Sequence, residues 1–228
     1  MASVTESASL LEAVELATGA APELTVIWLH GLGADGHDFE PIVPELKLRF
    51  PARFVFPHAP VRPVTINGGM PMRAWYDILG FGRNVRQDAA GIAASAAAVR
   101  RLITREIESG TPSERIVLAG FSQGGAIALH TALRERRRLA GVLALSTYLP
   151  LAETLPAERT AANADVPILM VHGAADAVLP LSLGEWSRQA LESLGYRVQW
   201  QSYAMAHTVC MEEIALIGAW LTELAGAV

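Results

Sequence analysis

Short runs of apolar and β-branched residues recur along the chain, at Leu24–His30, Arg53–Phe56, Arg115–Ala119, Gly141–Leu145, Val166–Val171 and Arg197–Tyr203. Between them lie stretches with helical spacing: Phe39–Phe50, Gln87–Ser109, Gln123–Arg137, Leu181–Leu194 and Met211–Ala225. Unbroken apolar runs are what strands covered on both faces require. The alternation therefore predicts an α/β fold, a mostly parallel central sheet with helices on both sides. Leu10–Ala17 has no clear period and is expected to be an antiparallel edge strand. No internal repeat or Ser/Gly/Pro-rich linker divides the chain, so residues 1–228 are expected to form a single domain.

Composition narrows the function classes. With 18 Lys+Arg against 23 Asp+Glu the net charge is −5, which leaves no electrostatic footprint for nucleic acid or an anionic membrane. The one basic cluster, Arg134, Arg136, Arg137 and Arg138, closes a predicted helix, where cations complement the carbonyl end of the dipole and would be solvated. The single cysteine, Cys210, excludes an intramolecular disulfide and a cysteine-based zinc cluster, and suits a reducing, cytoplasmic compartment. Residues 1–19 carry Glu6, Glu12 and Glu15 and no Lys or Arg, unlike a secretory leader. Apolar runs such as Leu139–Ala152 fall short of the ~18 residues a membrane span needs, so no stable membrane insertion is expected. The only lysine, Lys47, sits in an alternating exposed context, and no P-loop motif is present.

In sheets of this kind ligands bind beyond the carboxyl ends of the strands, so the residues just after each strand are where chemistry belongs. Gly120-Phe-Ser122-Gln-Gly124 stands between an apolar strand and a helix of small residues. A G-x-S-x-G string arises by chance in roughly one chain in fifteen of this size. Its strand-to-helix setting is what marks a nucleophile elbow, in which a sharp turn lifts the serine hydroxyl above the sheet. The bland alternative is a serine capping a glycine-rich turn.

A serine hydroxyl needs a base, and the base needs a third group to orient it. Only His130, His172 and His207 follow Ser122. His130 lies within the helix that Ser122 opens, and His172 precedes the best acid; His207 follows a strand and precedes a helix, as the chain order Ser, Asp/Glu, His requires. Asp165 and Asp176 are the only later aspartates. Asp165 stands before its strand, Asp176 after it, so Asp176 is the expected acid, with Glu153 and Glu212 as fallbacks.

The first clear strand ends in His30-Gly-Leu-Gly-Ala-Asp-Gly36. A His-Gly turn here would aim the backbone N–H of Leu32 at a developing oxyanion, paired with the N–H of Gln123. The same glycines read as G-x-G-x-x-G and raise a dinucleotide-binding oxidoreductase as a rival. That reading lacks the acidic residue expected at the end of the next strand, which runs Arg53-Phe-Val-Phe-Pro-His-Ala-Pro60, and the following helix carries Pro41 and Pro44.

With these residues placed, the chain resembles the carboxylesterase, lysophospholipase and acyl-protein thioesterase family of serine hydrolases. The resemblance runs from Val26 onward and includes His30-Gly-Leu-Gly-Ala-Asp-Gly, Phe56-Pro-His-Ala-Pro60, Met72-Arg-Ala-Trp-Tyr-Asp77, His172-Gly with Asp176, and His207-Thr-Val-Cys210. It implies an α/β-hydrolase without a large lid domain and without cofactor or metal. The implied activity is hydrolysis of ester or thioester bonds in substrates with short to medium acyl chains; acyl-protein thioesterase and lysophospholipase are the alternative natural activities. Ser122, Asp176 and His207 fall on the family's triad positions, and Leu32 and Gln123 on its oxyanion positions. Ala206 departs from the Pro or Gly expected before the histidine, which points to a looser loop. A homodimer is compatible with the family, although no residue singles out an interface. The long segment Val61–Arg86, with Met70, Met72, Trp75, Tyr76, Leu79 and Phe81, is expected to border the acyl pocket, as is Leu179. Cys210, three residues past His207, raises a thiolate as a competing nucleophile, and a non-catalytic binding protein on the same scaffold is the alternative of a different class.

Overall fold

The computed structural model of the protein describes residues 10–80, 82 and 85–227. Along it run β1 (Ala13–Ala17), β2 (Leu24–Leu29), β3 (Ala52–Pro57), β4 (Val61–Val64), β5 (Met70–Arg73), α1 (Ala89–Glu108), β6 (Ile116–Phe121) and α2 (Gln123–Leu133). These are followed by β7 (Gly141–Leu145), α3 (Leu155–Glu158), β8 (Ile168–Gly173), α4 (Leu181–Ser193), β9 (Val198–Tyr203) and α5 (Met211–Gly226). Seven strands form one sheet in the order β1-β3-β2-β6-β7-β8-β9. Every pairing is parallel except β1 with β3, where Ala13–Ala17 runs antiparallel along Pro57–Arg53. The expected edge strand is therefore present, shorter by three residues at its start.

Residue pattern decides position in the sheet. Leu24–Leu29, Gly141–Leu145 and Ile168–Gly173 are buried at every position, as strands with helices on both faces must be. On β9 the residues alternate, Val198 and Trp200 half-buried and Gln199 and Gln201 exposed, which suits the opposite edge. Two cores result. One, around Trp75, Ile92, Leu102 and Ile127, lies under α1 and α2; the other, around Trp28, Phe39, Phe54 and Trp220, lies under α5. Asp88 caps α1 by accepting the Gly91 N–H at 2.9 Å, a contact worth about 1 kcal/mol.

Two expectations are corrected. The stretch Phe39–Phe50 is not an α-helix but two single 3₁₀ turns, Glu40–Ile42 and Pro44–Leu46. Pro41 and Pro44 each lack the N–H that a continuing helix needs, and Lys47 ends the second turn in the left-handed region at φ 51°. The arginine cluster is not a solvated helix end either, only Arg136 of the four being exposed. α2 stops at Leu133, and the side chain of Arg134 is buried, bonding Glu158 at 2.6 Å and Thr154 at 2.9 Å. Arg137 bonds Glu135 and Thr104, and Arg138 pairs with Asp165. The segment Val61–Arg86, which falls outside every predicted strand and helix, holds a separate two-stranded antiparallel ribbon, β4 with β5.

Strand order reverses direction between β2 and β6, the place where an open parallel sheet leaves a crevice at its carboxyl edge. Leu32 follows β2 and Ser122 follows β6, so both stand at that crevice.

Candidate active site

At the end of β6 the chain turns into α2 through Ser122, whose backbone sits at φ 53°, ψ −119°, a region that costs an L-residue energy. The turn is held by its neighbours. The Ser122 N–H donates to Leu145 O at 2.8 Å, and its carbonyl accepts from Thr147 Oγ1 at 2.6 Å and from the Ala126 N–H at 3.1 Å. Glycine is required on either side: a Cβ on Gly120 would stand 2.3 Å from the carbonyl carbon of Gly124, and one on Gly124 would stand 2.2 Å from Leu29 O. All eleven residues of α2 are buried, which its small side chains permit.

The loops after β8 and β9 bring the other two groups. The Ala174 N–H donates to Tyr203 O at 2.7 Å and the Ala175 N–H to Met205 O at 3.0 Å, stitching the loops together. His207 Nε2 lies 3.0 Å from Ser122 Oγ, and its Nδ1 lies 2.6 Å from Asp176 Oδ2. The remaining oxygen of Asp176 accepts the N–H groups of Val178 at 2.9 Å and Leu179 at 2.8 Å, so this fully buried carboxylate has its lone pairs engaged. A carboxylate accepts only, so the proton belongs on Nδ1 and leaves Nε2 free to take the serine proton. With Ala206 in place, His207 still reaches both partners.

The other histidines fall outside this chain of hydrogen bonds. Burial lowers His172, whose Nε2–H donates to Leu179 O at 2.8 Å and braces the loop carrying Asp176. His130 is buried in α2, its pKa lowered to about 4 chiefly by desolvation. The Cys210 thiol is pushed up by burial, opposite to what a thiolate nucleophile needs.

A cleft of about 180 Å³ opens beside Ser122. It is lined by Leu179 and Tyr76, both read from the sequence as bordering an acyl pocket, and by Leu32, Gln123, Ile78, Phe121, Tyr148 and Val178. The Tyr76 and Tyr148 hydroxyls meet at 2.7 Å, and burial raises both phenols, keeping them neutral. Four of the residues expected at its border, Met70, Met72, Trp75 and Leu79, do not line it. Met70 is 61% exposed on β5, and Trp75 is fully buried behind the cleft, hydrogen-bonded to His30 and Gln123. Phe81 lies outside the described residues. Ile78, Phe121, Tyr148 and Val178 were missed, although Tyr148 and Val178 follow the ends of β7 and β8 and the strand-end rule points to both. No cluster of three or more His, Cys, Asp or Glu side chains suited to a metal ion occurs among the described residues.

The parallel sheet, the serine on its strained strand-to-helix turn and the apolar cleft beside it define an α/β-hydrolase. The family model described as Phospholipase/Carboxylesterase matches residues 12–224, and the chain belongs to that family, whose members are serine hydrolases acting on ester or thioester bonds. Acyl-protein thioesterase 1 of Neurospora crassa is 42% identical over 212 residues, covering 87% of this chain and 86% of the relative. Acyl-protein thioesterase 1 of Cryptococcus neoformans is 36% identical, covering 93% and 97%. The crystal structure of Zea mays acyl-protein thioesterase 2 superposes with a TM-score of 0.82 at 30% identity, covering 94% of this chain and all of that one. No helix among the described residues is long and apolar enough to cross a membrane.

Proposed function

We propose that hydrolysis proceeds through an acyl-enzyme on Ser122, with His207 as base and acid and Asp176 as its partner. The observation that carries this reading is the unbroken chain from Ser122 Oγ through His207 to Asp176, at 3.0 and 2.6 Å. His207 Nε2 takes the hydroxyl proton as Oγ attacks the acyl carbonyl, and the nearby Asp176 carboxylate stabilises the imidazolium. The N–H groups of Leu32 and Gln123 receive the oxyanion; the latter is one of the first helix N–H groups, which lack intrahelical acceptors. His207 then protonates the departing alkoxide or thiolate, and water, deprotonated by the same imidazole, releases the acid. The cleft size suits a short to medium acyl chain, with Leu32, Ile78 and Leu179 as its walls. The named relatives support a thioester, an acylated protein thiol, as the natural bond.

Ser122→Ala removes turnover of p-nitrophenyl butyrate and of a butyryl thioester, and abolishes labelling by a fluorophosphonate, while the thermal unfolding transition persists. Undiminished turnover in that variant would overturn the assignment. Rates across a chain-length series of paired esters and thioesters then separate the two bond types.

A further inference from the structure

Behind the cleft lies a set of buried polar groups that the reaction does not touch. His30 is 2% exposed, and its Nε2 accepts the Ala59 N–H at 3.0 Å. An acceptor nitrogen carries no proton, so Nδ1 is the protonated one and donates to Gly31 O at 2.7 Å. The imidazole is neutral, its pKa lowered to about 4 chiefly by burial.

That contact has a geometric consequence. Gly31 C=O and Leu32 N–H belong to one planar trans peptide and point in opposite directions, so fixing the carbonyl fixes the N–H. Leu32 faces the cleft with Ser122 and Gln123, and among the described residues nothing accepts from its N–H. The same frame reaches the second donor. The Trp75 indole N–H donates to His30 O at 2.9 Å, the Trp75 backbone N–H donates to Gln123 Oε1 at 2.7 Å, and Gln123 Nε2 donates to Tyr76 O at 2.7 Å. Ser95 Oγ closes the set on Trp75 O. Trp75 is thereby bonded at both backbone groups and at its ring.

We propose that His30, Trp75 and the Gln123 side-chain amide are positioning residues that hold the Leu32 and Gln123 N–H groups at a fixed separation and direction. The proposal rests on the oxyanion roles assigned above. It also explains why Trp75, a residue type suited to an acyl wall, is buried away from the cleft: its ring N–H bonds the loop after β2 and its backbone N–H bonds the Gln123 side chain at the start of α2. Preorganised donors stabilise charge only where they already point at it, so a frame of this kind acts on the transition state and not on substrate binding.

The test uses conservative replacements of the two ends of one ring. The amide nitrogen of Asn can stand where His Nδ1 stands and donate to Gly31 O; that of Gln reaches the Nε2 position and cannot. His30→Gln is expected to lower kcat by about 10–100-fold with KM within twofold, and His30→Asn to recover most of the loss. Trp75→Phe, which removes only the indole N–H from the ring system's bonds, is expected to lower kcat by about 3–10-fold. In each variant the Ki of an alkyl trifluoromethyl ketone, which forms a tetrahedral adduct, rises in step with the fall in kcat/KM, whereas a merely structural role would leave that correlation absent. His30→Asn no better than His30→Gln, or folded variants with wild-type kcat, would overturn the proposal. Should the His30 variants not fold, Trp75→Phe and the ketone decide alone. An inactive Ser122→Ala beside fully active frame variants refutes only this inference; an active Ser122→Ala refutes the reading beneath it.

Discussion

Gly124→Ala isolates the distance between the two proposed oxyanion donors, the N–H groups of Leu32 and Gln123. A Cβ at this position would lie 2.2 Å from Leu29 O, 2.5 Å from His30 O and 2.6 Å from the Leu29 carbonyl carbon. All three atoms are backbone at the end of β2, and none can rotate away. Restoring ordinary contact at 3.4 Å requires α2 to retreat from β2 by about 1 Å. The Leu32 N–H moves with one side of that contact and the Gln123 N–H with the other, so the gap between them widens comparably. Donors must lie at about 2.7–3.1 Å from the oxyanion, and losing one costs about 10²–10³ in kcat, roughly 3–4 kcal/mol. Overpacking is expected to lower stability by about 1–3 kcal/mol, offset by up to ~1 kcal/mol of helix propensity. The assay is steady-state hydrolysis of p-nitrophenyl butyrate together with urea unfolding of the same preparation. A folded variant with kcat within twofold of wild type would refute the claim that this close approach sets the oxyanion geometry.

Three further outcomes are expected. Asp176→Asn presents an amide to His207 Nδ1, favours the tautomer with its proton on Nε2, and lowers kcat by about 10³–10⁴ with little change in KM. Glu213 is fully buried in the first turn of α5, its pKa raised to about 8 chiefly by desolvation, the Cys210 N–H pulling the other way. The unfolded chain loses this proton near 4.5 and the folded one near 8, so wild-type stability falls as pH rises between those values. Glu213→Gln therefore gains on wild type progressively from pH 4.5 to 8, by on the order of 5 kcal/mol at most, in urea titrations across pH; a pH-independent difference would contradict this. Tyr148 borders both the cleft and a neighbouring hollow of about 360 Å³. Tyr148→Ala joins the two and shifts kcat/KM toward longer acyl chains, by about threefold per added CH₂ over the first few carbons, read from a p-nitrophenyl ester series.

The sheet was legible because its central strands are buried on both faces and so read as continuous apolar runs. Ser122, His207 and Asp176 were legible for a related reason: each stands just after a strand, and few residues of the right type follow Ser122. What escaped depends on tertiary placement. Phe39–Phe50 has helical spacing, but its prolines break it into turns. Arg134 and Arg137 look solvated until Glu158 and Glu135 are brought beside them. Trp75 and Met70 have the chemistry of an acyl wall, yet backbone direction around the β4–β5 ribbon buries one and exposes the other. Tyr148 stands just after β7, where the strand-end rule points, but its place beside the cleft shows only once the end of β7 is seen to face Tyr76 across the crevice.

Tyr76, Ile78 and Tyr148 come from stretches of chain that hold none of the three hydrogen-bonded groups, Ser122, His207 and Asp176. The proposed proton path and the shape of the cleft can therefore be inherited separately. Descendants of one ancestral gene can diverge in the acids they release by exchanging these residues, while the chemistry of release stays as it was.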